Sequence, residues 1–229
     1  SPSCNARCLG CISLQPAECC PSPQGRINFQ PTVEEIVEIA LLHLEGENRV
    51  ISFGQGCEGE PLMAEEVLSE AVRRIRARTK RGTINVNTNA GMPDALKRLI
   101  AAGLDSARVS LFSANPHNYL LYHRPRGFTL EEVARSIDLL RAEGVFISLN
   151  LLVFPGFTDQ KREKKDLWEF LQRHPVDMIQ LRTLNIDPDL FWERIGGGVD
   201  QGEGIRQMIA ELKRDLPELL VGNNNRPLR

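Results

Sequence analysis

The chain of 229 residues is 41% hydrophobic and 25% charged, with a formal net charge of −2, an ordinary balance for one globular core spanning residues 1–229. Near-neutrality argues against a strongly basic nucleic-acid surface. No apolar run is long enough to span a bilayer and no charged-then-apolar leader is present, so the expectation is a reducing cytoplasm and no membrane partner.

The first motif is Cys4-Asn-Ala-Arg-Cys8-Leu-Gly-Cys11. The spacing C-x-x-x-C-x-x-C folds into one tight loop that can aim three thiolates at the corner irons of a cubane iron–sulfur cluster. Three ligands leave one iron open to bind and activate a small molecule, whereas a cluster used only for electron transfer usually takes a fourth cysteine. Two other uses stay open. A structural zinc site normally adds a second Cys or His pair at similar spacing, and none follows; Cys19 and Cys20 are adjacent, a poor geometry for one tetrahedral ion. Six cysteines also permit disulfides, although nothing else in the chain looks secreted.

After residues 1–30, read as the cluster-binding loop, apolar runs alternate with amphipathic stretches as in repeated strand–helix units over 31–182. Strands are expected at 50–53, 83–87, 107–112, 145–152 and 178–182, and helices at 33–44, 62–78, 93–102, 130–143, 161–173 and 205–215. Thr32 with Glu35 and Thr129 with Glu132 have the spacing of capping boxes, and Gly46, Gly103 and Gly144 stand where left-handed helix caps belong. The basic runs 73–78 and 161–165 are read as solvated helix faces. Residues 183–229 are read as a C-terminal loop and helix.

At period two the strands carry two sets of residues. Ile51/Phe53, Ile84/Val86, Val109/Leu111, Val145/Ile147/Leu149/Leu151 and Ile179/Leu181 form an apolar face, and Ser52/Gly54, Asn85/Asn87/Asn89, Arg108/Ser110, Ser148/Asn150 and Gln180/Arg182 a polar one. The inward face of a closed eight-stranded barrel is usually filled by Val, Ile and Leu. A polar inner face therefore implies an open cup whose lumen holds ligand.

The cysteine loop, the turn Gly54-Gln-Gly56-Cys57-Glu58-Gly59-Glu60-Pro61-Leu62, the segment Asn85-Val-Asn87-Thr-Asn89-Ala-Gly91, and Val109-Ser110-Leu111 and Ser148-Leu-Asn150 occur in an order that resembles the radical S-adenosylmethionine superfamily. The resemblance implies an α/β fold, a partial, open (β/α)6 TIM-like barrel of parallel strands. The family's first strand lies just before the cysteine loop and is largely missing here. It implies that Cys4, Cys8 and Cys11 hold a [4Fe-4S] cluster whose open iron is chelated by the amine and carboxylate of S-adenosylmethionine. Gly10 stands where the family often has an aromatic residue, leaving backbone contact to the adenine. Gly59, Glu60 and Pro61 match the glycine–glutamate motif, in which the carboxylate accepts hydrogen bonds from the methionine ammonium. Asn87 and Asn89 fall where polar side chains meet the cofactor, although Asn89 also suits the start of a turn. Ser110 and Asn150 match ribose or carboxylate contacts, and Arg124 either pairs with the cofactor carboxylate or is a plain surface arginine. The expected partner is a reduced flavodoxin- or ferredoxin-type electron donor, and the expected chemistry is reductive cleavage of the cofactor to a 5′-deoxyadenosyl radical that abstracts hydrogen from substrate.

Gln180 and Arg182, inward on the last expected strand, are the candidates for substrate contact. Cys57 is a candidate hydrogen donor at the rim, weighed against a small buried thiol. Cys19, Cys20 and Cys57 are too few and too irregularly spaced for a second cluster. The segment Leu152-Val-Phe-Pro155-Gly156-Phe-Thr-Asp159 resembles a loop of glycyl-radical activating members, and with an open cup it points to a large substrate, a polypeptide or an RNA. The rival reading is a non-catalytic iron–sulfur or zinc binding module on a barrel, which requires four protein ligands. A conventional aldolase-like enzyme lacks a strand-end lysine for Schiff-base work.

Overall fold

A computed structural model describes residues 1–14, 25–56, 58–184, 186–196 and 202–228. Six strands, β1 (Val50–Phe53), β2 (Thr83–Thr88), β3 (Ser106–Leu111), β4 (Phe146–Val153), β5 (Met178–Thr183) and β6 (Leu220–Gly222), alternate with helices. These are α1 (Val33–Leu44), α2 (Glu65–Arg78), α3 (Pro93–Ala102), α4 (Pro116–His123), α5 (Leu130–Ala142), α6 (Lys161–Arg173), α7 (Pro188–Ile195) and α8 (Ile205–Asp215). Thr32 and Thr129 form the expected capping boxes at α1 and α5. Among the described residues no helix is long and apolar enough to cross a membrane.

The strands lie in one sheet in chain order, every neighbouring pair parallel, with β1 and β6 as its two edges. Chain-order parallel pairing with helical crossovers gives a sheet whose helices cover one face, the partial open barrel expected. On the helix side Ile84, Val86, Val109, Leu111, Ile147, Leu149, Leu151 and Ile179 are fully buried, each contributing about 1.5–3 kcal/mol. The inner side is polar. Asn85 Nδ2 donates to Ser52 Oγ at 3.1 Å and to Asn87 Oδ1 at 3.0 Å, and Ser106 Oγ donates to Asn85 Oδ1 at 2.9 Å. Ser52, Asn87, Arg108, Ser110 and Arg182 keep part of their surface in solvent, so the lumen is wet and not packed.

Residues 183–229 hold more structure than a loop and a helix. α7 follows Asp187, whose carboxylate caps it by accepting from the Leu190 N–H at 2.9 Å, and β6 adds a sixth strand. With three residues, β6 is too short for an alternation to register in the sequence. Residues 223–228 then join β5 to the opposite edge. Arg182 donates to the Asn223 carbonyl, Gln180 Nε2 to Asn225 Oδ1 at 3.2 Å, Asn225 Nδ2 to Ser52 Oγ at 3.1 Å, and the Leu228 N–H to Thr83 Oγ1 at 2.7 Å.

Four local expectations change. Residues 62–78 divide into a 3-10 turn, Pro61–Ala64, and α2, because Glu60 caps the turn through the Leu62 N–H at 3.2 Å. α4 was not expected from periodicity; Asn115 caps it and Pro116 opens it. Gly103 and Gly144 are left-handed as expected, whereas at α1 the left-handed residue is Asn48 and not Gly46. The basic runs are not wholly solvated. Buried Arg76 donates to the carbonyls of Gly103, Arg81 and Gly82 and pairs with Asp105, and buried Lys164 pairs with Glu203 and Glu211.

Candidate cofactor site

The cysteine loop is held from two sides. The Gly59 and Glu60 N–H groups donate to the carbonyls of Ser1 and Ser3, both at 2.7 Å. A Cβ on Gly59 would sit 1.9 Å from the Ser3 oxygen, so this approach requires glycine. On the other side lies the C-terminus of α4, whose last carbonyls have no partner within the helix. There the Arg7 N–H donates to the His123 carbonyl at 3.1 Å and the Leu9 N–H to the Tyr122 carbonyl at 2.9 Å. Asn5 completes the seat, accepting from the Arg126 N–H at 2.8 Å and, at its side-chain oxygen, from Asn89 Nδ2 at 2.7 Å. Tyr122 also accounts for Gly10. A Cβ there would meet the Tyr122 hydroxyl at 2.6 Å and Leu184 Cδ1 at 2.9 Å, so the tyrosine occupies the room a side chain would take.

Cys4, Cys8 and Cys11 are free thiols, each half-buried. Burial pushes the Cys8 thiol up, and the neighbouring Cys11 and Cys4 push it further. Cys4 is raised by burial and by Glu60 and Cys11, with Arg26 opposing. The three sulfurs therefore share one electrostatic neighbourhood. Polar groups able to donate lie against them: His123 Nδ1 is 3.4 Å from Cys8 Sγ, Ser13 Oγ is 3.4 Å from Cys11 Sγ, and Arg26 Nη2 donates to Cys11 Sγ at 3.7 Å. His123 is neutral, because burial drives its pKa down to about 3, and its ring lies 4.4 Å from that of Tyr119. Among the described residues no three His, Cys, Asp or Glu side chains close on one point as ligands of a single metal ion do. A cubane instead offers each thiolate its own iron, and nearby but separate thiols flanked by N–H donors fit it.

Glu60 lies behind this loop, buried. Its Oε1 accepts from the Leu62 N–H and from the Thr88 hydroxyl, and its Oε2 from the Asn89 N–H at 2.8 Å. Burial raises its pKa while the three donors hold it down. The carboxylate thus ties the glycine–glutamate turn to the end of β2, with Pro61 opening the 3-10 turn. Asn89 both grips Asn5 and starts a turn by accepting from the Gly91 N–H at 3.0 Å. Asn87 donates to the Gly54 carbonyl at 3.0 Å. Ser110, Asn150 and Gln180 fall in one row across β3, β4 and β5. Asn150 Oδ1 and Gln180 Oε1 are buried without partners, as are the Nε atoms of Arg108 and Arg182.

Arg124 is exposed. It caps α4 in a left-handed conformation, φ 46°, and lines a crevice of about 400 Å³ with Arg7, Cys8, Leu9, Leu14, Leu190 and Arg194. Cys19, Cys20 and Cys57 lie outside the described residues. Asn5, Ser13, Arg26, Arg108, Tyr122 and His123 were not among the sequence candidates. Arg108 carried a signal in its inward parity on β3.

Comparisons with known proteins agree with this layout. The family model described as the radical SAM superfamily matches residues 1–167. A probable GTP 3′,8-cyclase of Methanosarcina acetivorans is 30% identical over 196 residues, covering 82% of this chain and 54% of that protein. The chain spans about half the length of the curated relatives it matches. In fold it is similar to methylornithine synthase (TM-score 0.65, 15% identity, 96% of this chain and 61% of that one). It is likewise similar to Streptococcus suis SuiB bound to S-adenosylmethionine (TM-score 0.62, 12% identity, 98% and 49%).

Proposed function

The chain belongs to the radical S-adenosylmethionine superfamily of enzymes, which use a [4Fe-4S] cluster and S-adenosylmethionine, and from that premise we propose that Cys4, Cys8 and Cys11 are the cluster ligands and the polar cup is the reaction chamber. When bound, the cluster and its cofactor supply a reductively generated 5′-deoxyadenosyl radical that abstracts hydrogen from substrate. The chain's own residues do the holding. Neutral His123 donates through Nδ1 to Cys8, and Ser13 and Arg26 face Cys11, offsetting negative charge on the sulfurs. Glu60 and the Asn5–Asn89 bond lock the loop against the end of β2. Gly59 allows close backbone approach, and the unpartnered Asn150 Oδ1, in register with Ser110, accepts from cofactor hydroxyls. The arginines beside Cys8, Arg7, Arg124 and Arg194, give an acidic electron carrier of flavodoxin or ferredoxin type a basic surface to meet. Residues 1–229 are read as one core domain, at work in a reducing cytoplasm. At identities of 30% and 29% over about half the length of relatives named for GTP cyclisation, the substrate of this chain follows from its own residues.

The observation that carries this reading is the set of three free thiols on a loop docked at the polar face of an open parallel barrel. Anaerobic reconstitution, then dithionite and S-adenosylmethionine, tests it. The expected product is 5′-deoxyadenosine, lost in Cys4→Ala, Cys8→Ala and Cys11→Ala; intact cofactor with a fully loaded cluster favours the non-catalytic binding module.

A further inference from the structure

The inner face of the cup is electrostatically one-sided. Its positions on the strands include Ser52, Thr83, Asn85, Asn87, Ser106, Arg108, Ser110, Ser148, Asn150, Gln180 and Arg182 beside the apolar Phe146, Leu152 and Met178, with two cations and no acid. Elsewhere in the molecule buried cations are matched, Arg76 by Asp105 and Lys164 by Glu203 and Glu211. Arg108 has no acid partner among the described residues, and its buried Nε has no hydrogen bond. Arg182 spends one nitrogen on the Asn223 carbonyl and leaves its buried Nε free. Burial, then the charge of Arg182, push the Arg108 pKa down, so the two cations feel each other across the lumen. Between them lies Gln180, 0% exposed, its Oε1 unpartnered. An unmatched, partly desolvated guanidinium is costly, and among the described residues no acid offsets the two that face this lumen, so a bound anion would complete them.

We propose that Arg108 and Arg182 form a subsite for a phosphate group on the substrate, with Gln180 accepting a hydrogen bond from the same molecule. This rests on the reading of the cup as the reaction chamber and names the class of its substrate: a small phosphorylated molecule. Paired guanidinium forks match phosphate oxygens in geometry as well as charge. Depth sets the size. Arg108 stands two residues before Ser110 on β3, roughly 6–7 Å further into the cup, past the row formed by Ser110, Asn150 and Gln180. A slim terminal group reaches that far, which narrows the macromolecular substrate expected from an open cup.

The test uses the anaerobically reconstituted holoenzyme with S-adenosylmethionine bound, titrated calorimetrically with inorganic pyrophosphate and, in a parallel arm, with succinate. Pyrophosphate is expected to bind more tightly than succinate, and its Kd to rise about tenfold or more in Arg108→Gln and in Arg182→Gln, the loss of a charged hydrogen-bond partner. Arg108→Lys, which keeps charge but not the fork, is expected to fall between. Should Arg108→Gln fail to fold, Arg182→Gln on the half-exposed side carries the same comparison. Equal pyrophosphate affinity in wild type and variants, tighter binding of succinate, or a fall in S-adenosylmethionine affinity by the same factor overturns the subsite; the last would hand the arginine to the cofactor carboxylate. A protein that never takes up S-adenosylmethionine overturns the cofactor reading itself, whereas one that binds it and ignores pyrophosphate sinks the subsite alone.

Discussion

Replacing Glu60 by glutamine separates two roles for this carboxylate. The sequence motif assigns it to the methionine ammonium, while the fold shows three protein donors on it, the Leu62 and Asn89 N–H groups and the Thr88 hydroxyl. Glutamine preserves shape but sets its NH2 against a backbone N–H whichever way the amide turns, toward Asn89 or toward Leu62. Losing one hydrogen bond to a charged group and leaving one buried donor unmatched costs about 1.5–3 kcal/mol. For a chain of this size that is a Tm lower by roughly 3–12 °C. The assay is thermal unfolding of the apoprotein, in which no cofactor contributes. Burial raises the folded pKa of Glu60 above its unfolded value, so protonation favours the fold. This contribution is complete below the ordinary carboxylate range and is lost as pH rises through the folded value. Glutamine cannot titrate, so the Tm gap between wild type and Glu60→Gln narrows as pH rises. An apoprotein variant that melts within about 1 °C of wild type, yet binds S-adenosylmethionine tenfold more weakly, would falsify the scaffold role and restore the ligand role.

Other perturbations probe the remaining parts of the site. Gly10→Phe, which must displace the Tyr122 hydroxyl, is expected to lower iron and sulfide per chain after reconstitution, with partial recovery in Gly10→Phe/Tyr122→Ala; normal loading of the single variant refutes the steric account. His123→Ala removes the donor facing Cys8 Sγ. A lost bond of about 1 kcal/mol corresponds to roughly 40 mV in a one-electron couple, so an EPR-monitored redox titration should find the cluster more negative by that order, and an unchanged or more positive potential rules the bond out. Asp105→Asn removes the charge of the carboxylate that pairs with buried Arg76 and accepts from the Ile84 N–H. It should cost about 3–5 kcal/mol, a fall in Tm of roughly 6–20 °C; a shift under about 2 °C contradicts the pairing.

What the sequence revealed was whatever depends on local chemistry or on parity. The capping residues Thr32, Glu35, Thr129 and Glu132 act over three positions, and the alternation of β2 to β5 repeats often enough to fix which face is wet. The parts that stayed hidden are contacts between distant segments. His123 meets Cys8 across 115 positions and Asn5 meets Asn89 across 84, and no spacing rule reaches that far. Gly10 is legible only as a departure until Tyr122 is found in its place.

Arg108 shows the limit in its simplest form. Parity places it in the lumen beside Ser110, yet the same parity would describe an arginine neutralised by an acid on a neighbouring strand. Whether it is a structural cation like Arg76 or a receptor for an anion depends on what the opposite wall supplies. That wall is built by β4 and β5, which contribute Ser148, Asn150, Gln180 and a second arginine. Among the described residues that wall supplies no acid, so on the subsite proposed above the charge that completes the lumen arrives with a ligand, and the sign of the substrate becomes a property of the fold rather than of any one residue.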